Sequence, residues 1–144
     1  NVPASAENMY LSSDGTLYLC GGGAVYRSTG AYANFVKLAE GFTSPPSYTE
    51  FFEEYGDILL IYDGQKALKV DVSSSAPAAA PQVKNGAAKG FRLFGVDLSD
   101  GYAVRWSHPG KSSLWTEELD GGGYIRLSPD GGQVLRAVNC GGTG

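Results

Sequence analysis

Apolar residues in this chain come in short runs with a period of two, cut at close intervals by Asp-Gly pairs, prolines and glycine clusters. The first unit covers 9–42. Met9, Tyr10 and Leu11 lead into Ser12-Ser13-Asp14-Gly15. Asp-Gly between apolar runs predicts a hairpin, because the tight turn needs positive φ. Further strands are predicted over 16–20, 24–28 and 35–38. The glycine triplet 21–23 and a longer loop opened by Thr29-Gly30 separate them. The second unit, 47–72, follows Pro45-Pro46. Ser47 and Glu50 have the spacing of a helix capping box, yet a sheet-period segment follows at once, so 48–55 reads as a strand. Asp57-Ile58-Leu59-Leu60-Ile61-Tyr62 is apolar almost throughout, which predicts an inner strand covered on both faces. Asp63-Gly64 is the next turn, and 67–72 returns. The Ser/Ala/Pro-rich stretch 73–82 carries no period and predicts a loop.

The third unit, 90–119, places Phe91 and Leu93 on one face of a strand, with Arg92 and Phe94 on the other. After Ser99-Asp100-Gly101, Tyr102, Val104 and Trp106 alternate with Ala103 and Arg105. His108-Pro109-Gly110 reads as a turn and Leu114-Trp115-Thr116 as the start of another strand. The fourth unit, 123–140, pairs 124–127 with 133–138 around Ser128-Pro129-Asp130-Gly131-Gly132. The expected fold class is all-β: short antiparallel strands in successive blade-like units, forming a partial or small β-propeller. A single small sheet cannot hide both faces, so neighbouring units must cover it. With roughly 40 residues per four-stranded blade and at least about four blades for closure, 144 residues are few for a complete ring. The chain is expected to be part of a larger one and not self-sufficient in isolation.

Three stretches resemble propeller proteins of tailed-bacteriophage particles. Residues 48–71, YTEFFEEYGDILLIYDGQKALKVD, are similar to a segment in which an aromatic strand leads to Gly-Asp, a buried apolar strand, a turn and a short strand ending in Asp. Residues 89–119, KGFRLFGVDLSDGYAVRWSHPGKSSLWTEEL, resemble the part that follows, with Arg-Leu-Phe, a hairpin, Trp-Ser, a Pro- or Gly-containing turn and Trp-Thr. Residues 123–138, GYIRLSPDGGQVLRAV, resemble the next Asp-Gly-Gly hairpin. The resemblance implies a structural tail, neck or tail-tip component of the virion, assembled in the host cytoplasm beside other virion proteins and homo-oligomeric. It brings no catalytic residue and no cofactor.

Composition narrows the alternatives. The 21 glycines lack a three-residue period, which excludes collagen. The net charge of −4, with both signs mixed and no basic run, disfavours a nucleic-acid partner. No apolar run approaches the ~20 residues that span a bilayer, so no membrane partner is expected. Cys20 and Cys140 belong to no CxxC or Cys/His cluster, so no metal is expected, and they read as two separate thiols.

Candidate chemistry is sparse. His108, the single histidine, lies in a turn without a Gly-x-Ser-x-Gly elbow. Glu53-Glu54 and Glu117-Glu118 are adjacent pairs, whose members a strand sends to opposite faces, against a glycosidase-type carboxylate pair. Ser12-Ser13-Asp14-Gly15-Thr16 resembles the Asp-box turn of sialidase-like propellers, but Leu17 stands where an aromatic is expected, so it reads as a plain hairpin. Trp106 and Trp115 read as core aromatics before they read as a sugar platform. The expected function is therefore structural and not enzymatic. A carbohydrate- or receptor-binding module on the particle is the alternative, and a glycoside hydrolase fragment comes third.

Overall fold

The computed structural model describes residues 3–53, 56–71, 74–127 and 129–138. The described residues hold three four-stranded antiparallel sheets in sequence order and no α-helix. The first sheet contains β1 (Asn8–Leu11), β2 (Leu17–Gly21), β3 (Ala24–Thr29) and β4 (Asn34–Glu40). The second contains β5 (Ser47–Glu53), β6 (Gly56–Tyr62), β7 (Ala67–Val70) and β8 (Ser75–Ala78). The third contains β9 (Val83–Lys89), β10 (Arg92–Asp97), β11 (Ala103–Trp106) and β12 (Gly123–Arg126). Each is a meander of strands joined by short turns, apart from the long excursion 107–122 between β11 and β12. The β2–β3 turn shows the chemistry: Gly22 at φ +60° and Gly23 at +71° form a two-residue loop with both centres left-handed.

The sheets stack face to face, with the second in the middle. Tyr18, Cys20 and Val25 of the first sheet pack with Leu59, Ile61, Leu68 and Val70 of the second. The opposite face of the second sheet, carrying Phe51, Leu60, Tyr62 and Ala67, packs with Val83, Leu93 and Trp115. The apolar run 58–62 is thus explained. β6 lies between β5 and β7, and sheets cover both its faces, so residues of both parities are buried. β5 is a strand for the same reason. Tyr48 turns toward the first sheet, while Thr49 and Phe51 turn toward the third.

The first strands of the three sheets converge. Asn8 donates to the Pro46 carbonyl at 2.7 Å and accepts from Tyr48 Oη at 3.1 Å. Ser47 and Asn85 are joined by side-chain and backbone bonds, and β5 runs beside β9.

Four expectations need correction. The stretch 73–82 is not wholly a loop, because β8 pairs with β7; its side chains are exposed, so no burial pattern marks it. The third unit begins at Val83, not 90, and Gly90-Phe91 is the tip of the β9–β10 hairpin, with both φ values positive. Residues 114–116 form no strand; they belong to the excursion joining β11 to β12. The described residues form three sheets, where four units were expected. β12 completes the third sheet, and 133–138 lies outside any ladder. The slightly polar β9, VKNGAAK, lacks the apolar alternation that would have announced a first strand.

Candidate functional site

A concavity lies between the first two sheets, at the end where the β1–β2 hairpin emerges. It encloses about 400 Å³ and is lined by Ser13, Asp14, Glu50, Phe52, Asp57 and Asp71. The hairpin builds one wall. Gly15, at φ +85°, lets the chain reverse, and Ser12 N–H bonds the Thr16 carbonyl at 3.0 Å. Asp14 accepts from Ser12 Oγ and from Thr16 N–H at 2.9 Å, and these donors, Ser12 first, hold its carboxyl below the usual range.

Glu50 forms the other wall. One of its oxygens accepts from Ser13 N–H at 2.8 Å and Ser13 Oγ at 2.6 Å; the other takes Tyr10 Oη at 3.1 Å. Burial, then the Glu50 charge, pushes the Tyr10 phenol up to about 12. The Tyr10 and Tyr48 rings stack at 5.3 Å, with an interplanar angle of 3°. Glu50 therefore ties the second sheet to a turn of the first.

Glu53, three residues on, points to the other face of β5 and does the same for the third sheet. It accepts from Lys69 Nζ at 2.6 Å, from Ser112 N–H at 3.1 Å and from Ser112 Oγ. The buried Ser112 in turn offers its carbonyl to Trp115 Nε1 at 2.9 Å. Burial raises the Glu53 pKa, but Lys69 and Ser112 outweigh it and leave the carboxyl below its ordinary value. Glu54 lies outside the described residues.

At the rim, Phe52 and Phe91 make an edge-on contact at 5.4 Å, and both rings are about half exposed. Phe91 sits at φ +61°, a conformation a bulky side chain rarely adopts, and the Gly110 N–H on its carbonyl helps to hold it there.

The other candidates do not converge on this cleft. His108 Nε2 lies 2.9 Å from Thr116 Oγ1 and 3.0 Å from the Thr116 carbonyl, within the β11–β12 excursion. Glu117 and Glu118 are exposed in the same excursion, and Glu118 accepts from Thr116 Oγ1. Trp115 is buried toward the second sheet, whereas Trp106 packs on Phe94 on the far face of the third. The two indoles share no surface. Cys20 is a buried thiol whose pKa burial and the nearby Glu7 raise; Cys140 lies outside the described residues. Among the described residues no three His, Cys, Asp or Glu side chains gather as metal ligands.

The carboxyl groups displaced from their ordinary pKa are Asp14, Glu40, Glu53, Asp63, Asp97 and Asp100, and all are displaced downward. A general acid at neutral pH needs the opposite shift. Of these groups only Asp14 lines the cleft, which can present negative charge and an aromatic rim to a ligand. Sequence reasoning missed Glu50 and Glu53 as inter-sheet acceptors. The available signal was two glutamates of opposite parity in an otherwise aromatic strand.

No protein-family model matches the chain, and no curated protein matches it in sequence.

Proposed function

We propose that this chain is a structural assembly module of a tailed-bacteriophage virion, a tail, neck or tail-tip component that acts by shape and not by catalysis. The observation that carries this reading is where its polar side chains are spent. Glu50, Glu53, Asn8, Tyr48 and Thr49 all bond across from one sheet to the next. Such groups make a stiff body that holds loops and sheet faces against neighbouring subunits. The resemblance of 48–71, 89–119 and 123–138 to phage propeller proteins supplies the particle. Its partners are other virion proteins, and it joins them in the host cytoplasm. Mass spectrometry of tailed particles purified from the host that carries the gene should find this chain at a fixed copy number. Its absence from intact particles would end the proposal. No turnover of glycans or esters is expected from the pure chain, and turnover abolished by Glu53→Gln would overturn the non-enzymatic reading.

One observation favours a second reading. The half-exposed Phe52–Phe91 pair at the rim of a carboxylate-lined cleft is a surface on which a neutral sugar can stack. A glycan array separates this receptor-binding role from a purely structural one.

A further inference from the structure

Asn85-Gly86 is the single Asn-Gly pair in the sequence, and it sits where three parts of the fold meet. On β9, Lys84 pairs with Val96 and Ala87 with Phe94, so Asn85 and Gly86 together oppose Gly95 in a bulge. Asn85 stands at φ +50°, a left-handed conformation that asparagine tolerates better than most residues. Its partners fix which end of the side chain is nitrogen. Asn85 N–H donates to Ser47 Oγ at 3.1 Å, and Ser47 Oγ gives its own hydrogen to Asn85 Oδ1 at 3.2 Å. Asn85 Nδ2 donates to the Leu135 carbonyl at 2.9 Å, and the Asn85 carbonyl accepts from Ala137 N–H at 2.9 Å. One residue thus fastens the segment 134–138 to β9. Asn85 is exposed and borders a concavity of about 480 Å³, lined also by Asn8, Ser47 and Leu135, so water reaches it.

We propose that Asn85 is a site of self-modification, deamidated by attack of its own backbone, and that the docked segment 134–138 gates the reaction. Once the Gly86 N–H gives its proton to solvent base, the nitrogen attacks Asn85 Cγ. The N–Cγ bond forms, the Cγ–Nδ2 bond breaks, and the side-chain nitrogen takes a proton from water and leaves as ammonia. Water then opens the five-membered imide at either carbonyl, giving aspartate or iso-aspartate. Gly86 has no Cβ to obstruct the approach. Packing keeps a glycine there, because a Cβ would meet the Phe94 carbonyl oxygen and Tyr62 Oη. In the docked fold both reacting ends are held: Gly86 N–H donates to Tyr62 Oη at 3.2 Å, and Nδ2 is bound to Leu135. Lifting 134–138 frees the side chain to react. The product cannot restore the contact. A carboxylate oxygen in place of Nδ2 meets the Leu135 carbonyl as acceptor against acceptor. Iso-aspartate also adds a methylene to the main chain where β9 runs beside β5. Each event therefore turns a reversible undocking into a permanent one. This latch does not depend on the particle role.

Ageing the 144-residue chain at mildly alkaline pH, with peptide mapping by mass spectrometry, tests the proposal. Amide-to-acid conversion should concentrate at Asn85 and should be at least about tenfold slower in the folded chain than in urea, as the loss of one or two holding hydrogen bonds requires. Ala137→Pro removes the N–H that the Asn85 carbonyl accepts and leaves the reacting groups intact. It should speed conversion in the folded chain about tenfold. Asn85→Asp is isosteric, so circular dichroism should show an unchanged fold, while amide exchange over 134–138 should quicken about tenfold and that of β6 stay the same. Equal conversion rates in the folded chain, in urea and in Ala137→Pro would overturn the gate. Conversion in urea no faster at Asn85 than at the other asparagines would overturn the site. Unchanged exchange over 134–138 in Asn85→Asp would overturn the latch.

Discussion

Glu53 concentrates several contacts in one side chain. Its carboxylate is mostly shielded from water and takes a lysine, a hydroxyl and a backbone N–H. Hydrogen bonds to a charged group contribute about 1.5–3 kcal/mol each at most, and partial exposure of Lys69 reduces this. Glu53→Gln is expected to cost about 1–2 kcal/mol in urea unfolding. The pH dependence follows from its lowered pKa. A carboxyl lowered in the folded state stabilises above its unfolded pKa, and that stability drains away as pH falls through the folded value. The wild type should therefore lose stability on acidification below the ordinary glutamate range, and the Gln variant should lose less. Equal acid limbs in the two proteins would show that Glu53 is not the acceptor described. Gly86 is the second informative residue. A Cβ there would meet the Phe94 carbonyl oxygen and lie 2.7 Å from Tyr62 Oη, which already bonds Thr49 and the Gly86 N–H. Neither neighbour can retreat, so Gly86→Ala should cost about 1–3 kcal/mol. Gly131→Ala, with open space around its position, should change the urea midpoint little.

At the scale of elements, β6 is the test of the stack. Leu60 is fully buried, faces the third sheet and pairs across the ladder with Thr49 and Lys69. Leu60→Asp buries a carboxylate among apolar side chains and should destabilise by about 3 kcal/mol or more. Unchanged thermal stability would contradict the middle position of β6. Sequence reasoning located β1 to β7 and β10 to β12, and of these β2, β3, β6 and β7 bury alternate or consecutive apolar residues beside Gly or Asp-Gly turns. Those it missed or misplaced, β8 and β9, present SAPA and VKNGAAK. The first is nearly all exposed and the second carries a bulge against β10, so neither leaves a clear period. They are strands because neighbouring ladders supply their hydrogen-bond partners, which is a tertiary fact. The Glu50 and Glu53 clamps were hidden for the same reason: their partners, Ser13 and Ser112, lie 37 and 59 residues away.

At the scale of the molecule, the second sheet belongs to both cores. Removing it strips Tyr18 and Val25 on one side and Leu93 and Val83 on the other of their cover. The three sheets should therefore melt in one transition, and indole fluorescence, which reports Trp106 and Trp115, should coincide with far-ultraviolet circular dichroism. Separate midpoints would mean that the sheets are independent units. The all-β class, the hairpins at Asp14-Gly15, Asp63-Gly64 and Asp100-Gly101 and the central strand 57–62 were determined by the sequence alone, whereas the hairpin expected at Asp130-Gly131 does not form. Turn chemistry and side-chain period are local, and a few consecutive residues carry them. The number of sheets among the described residues, the identity of β8 and β9 and the two faces of β5 were decided only by the tertiary structure. Each depends on which distant strand lies opposite, and a short chain segment holds no record of its neighbour across a ladder or a core.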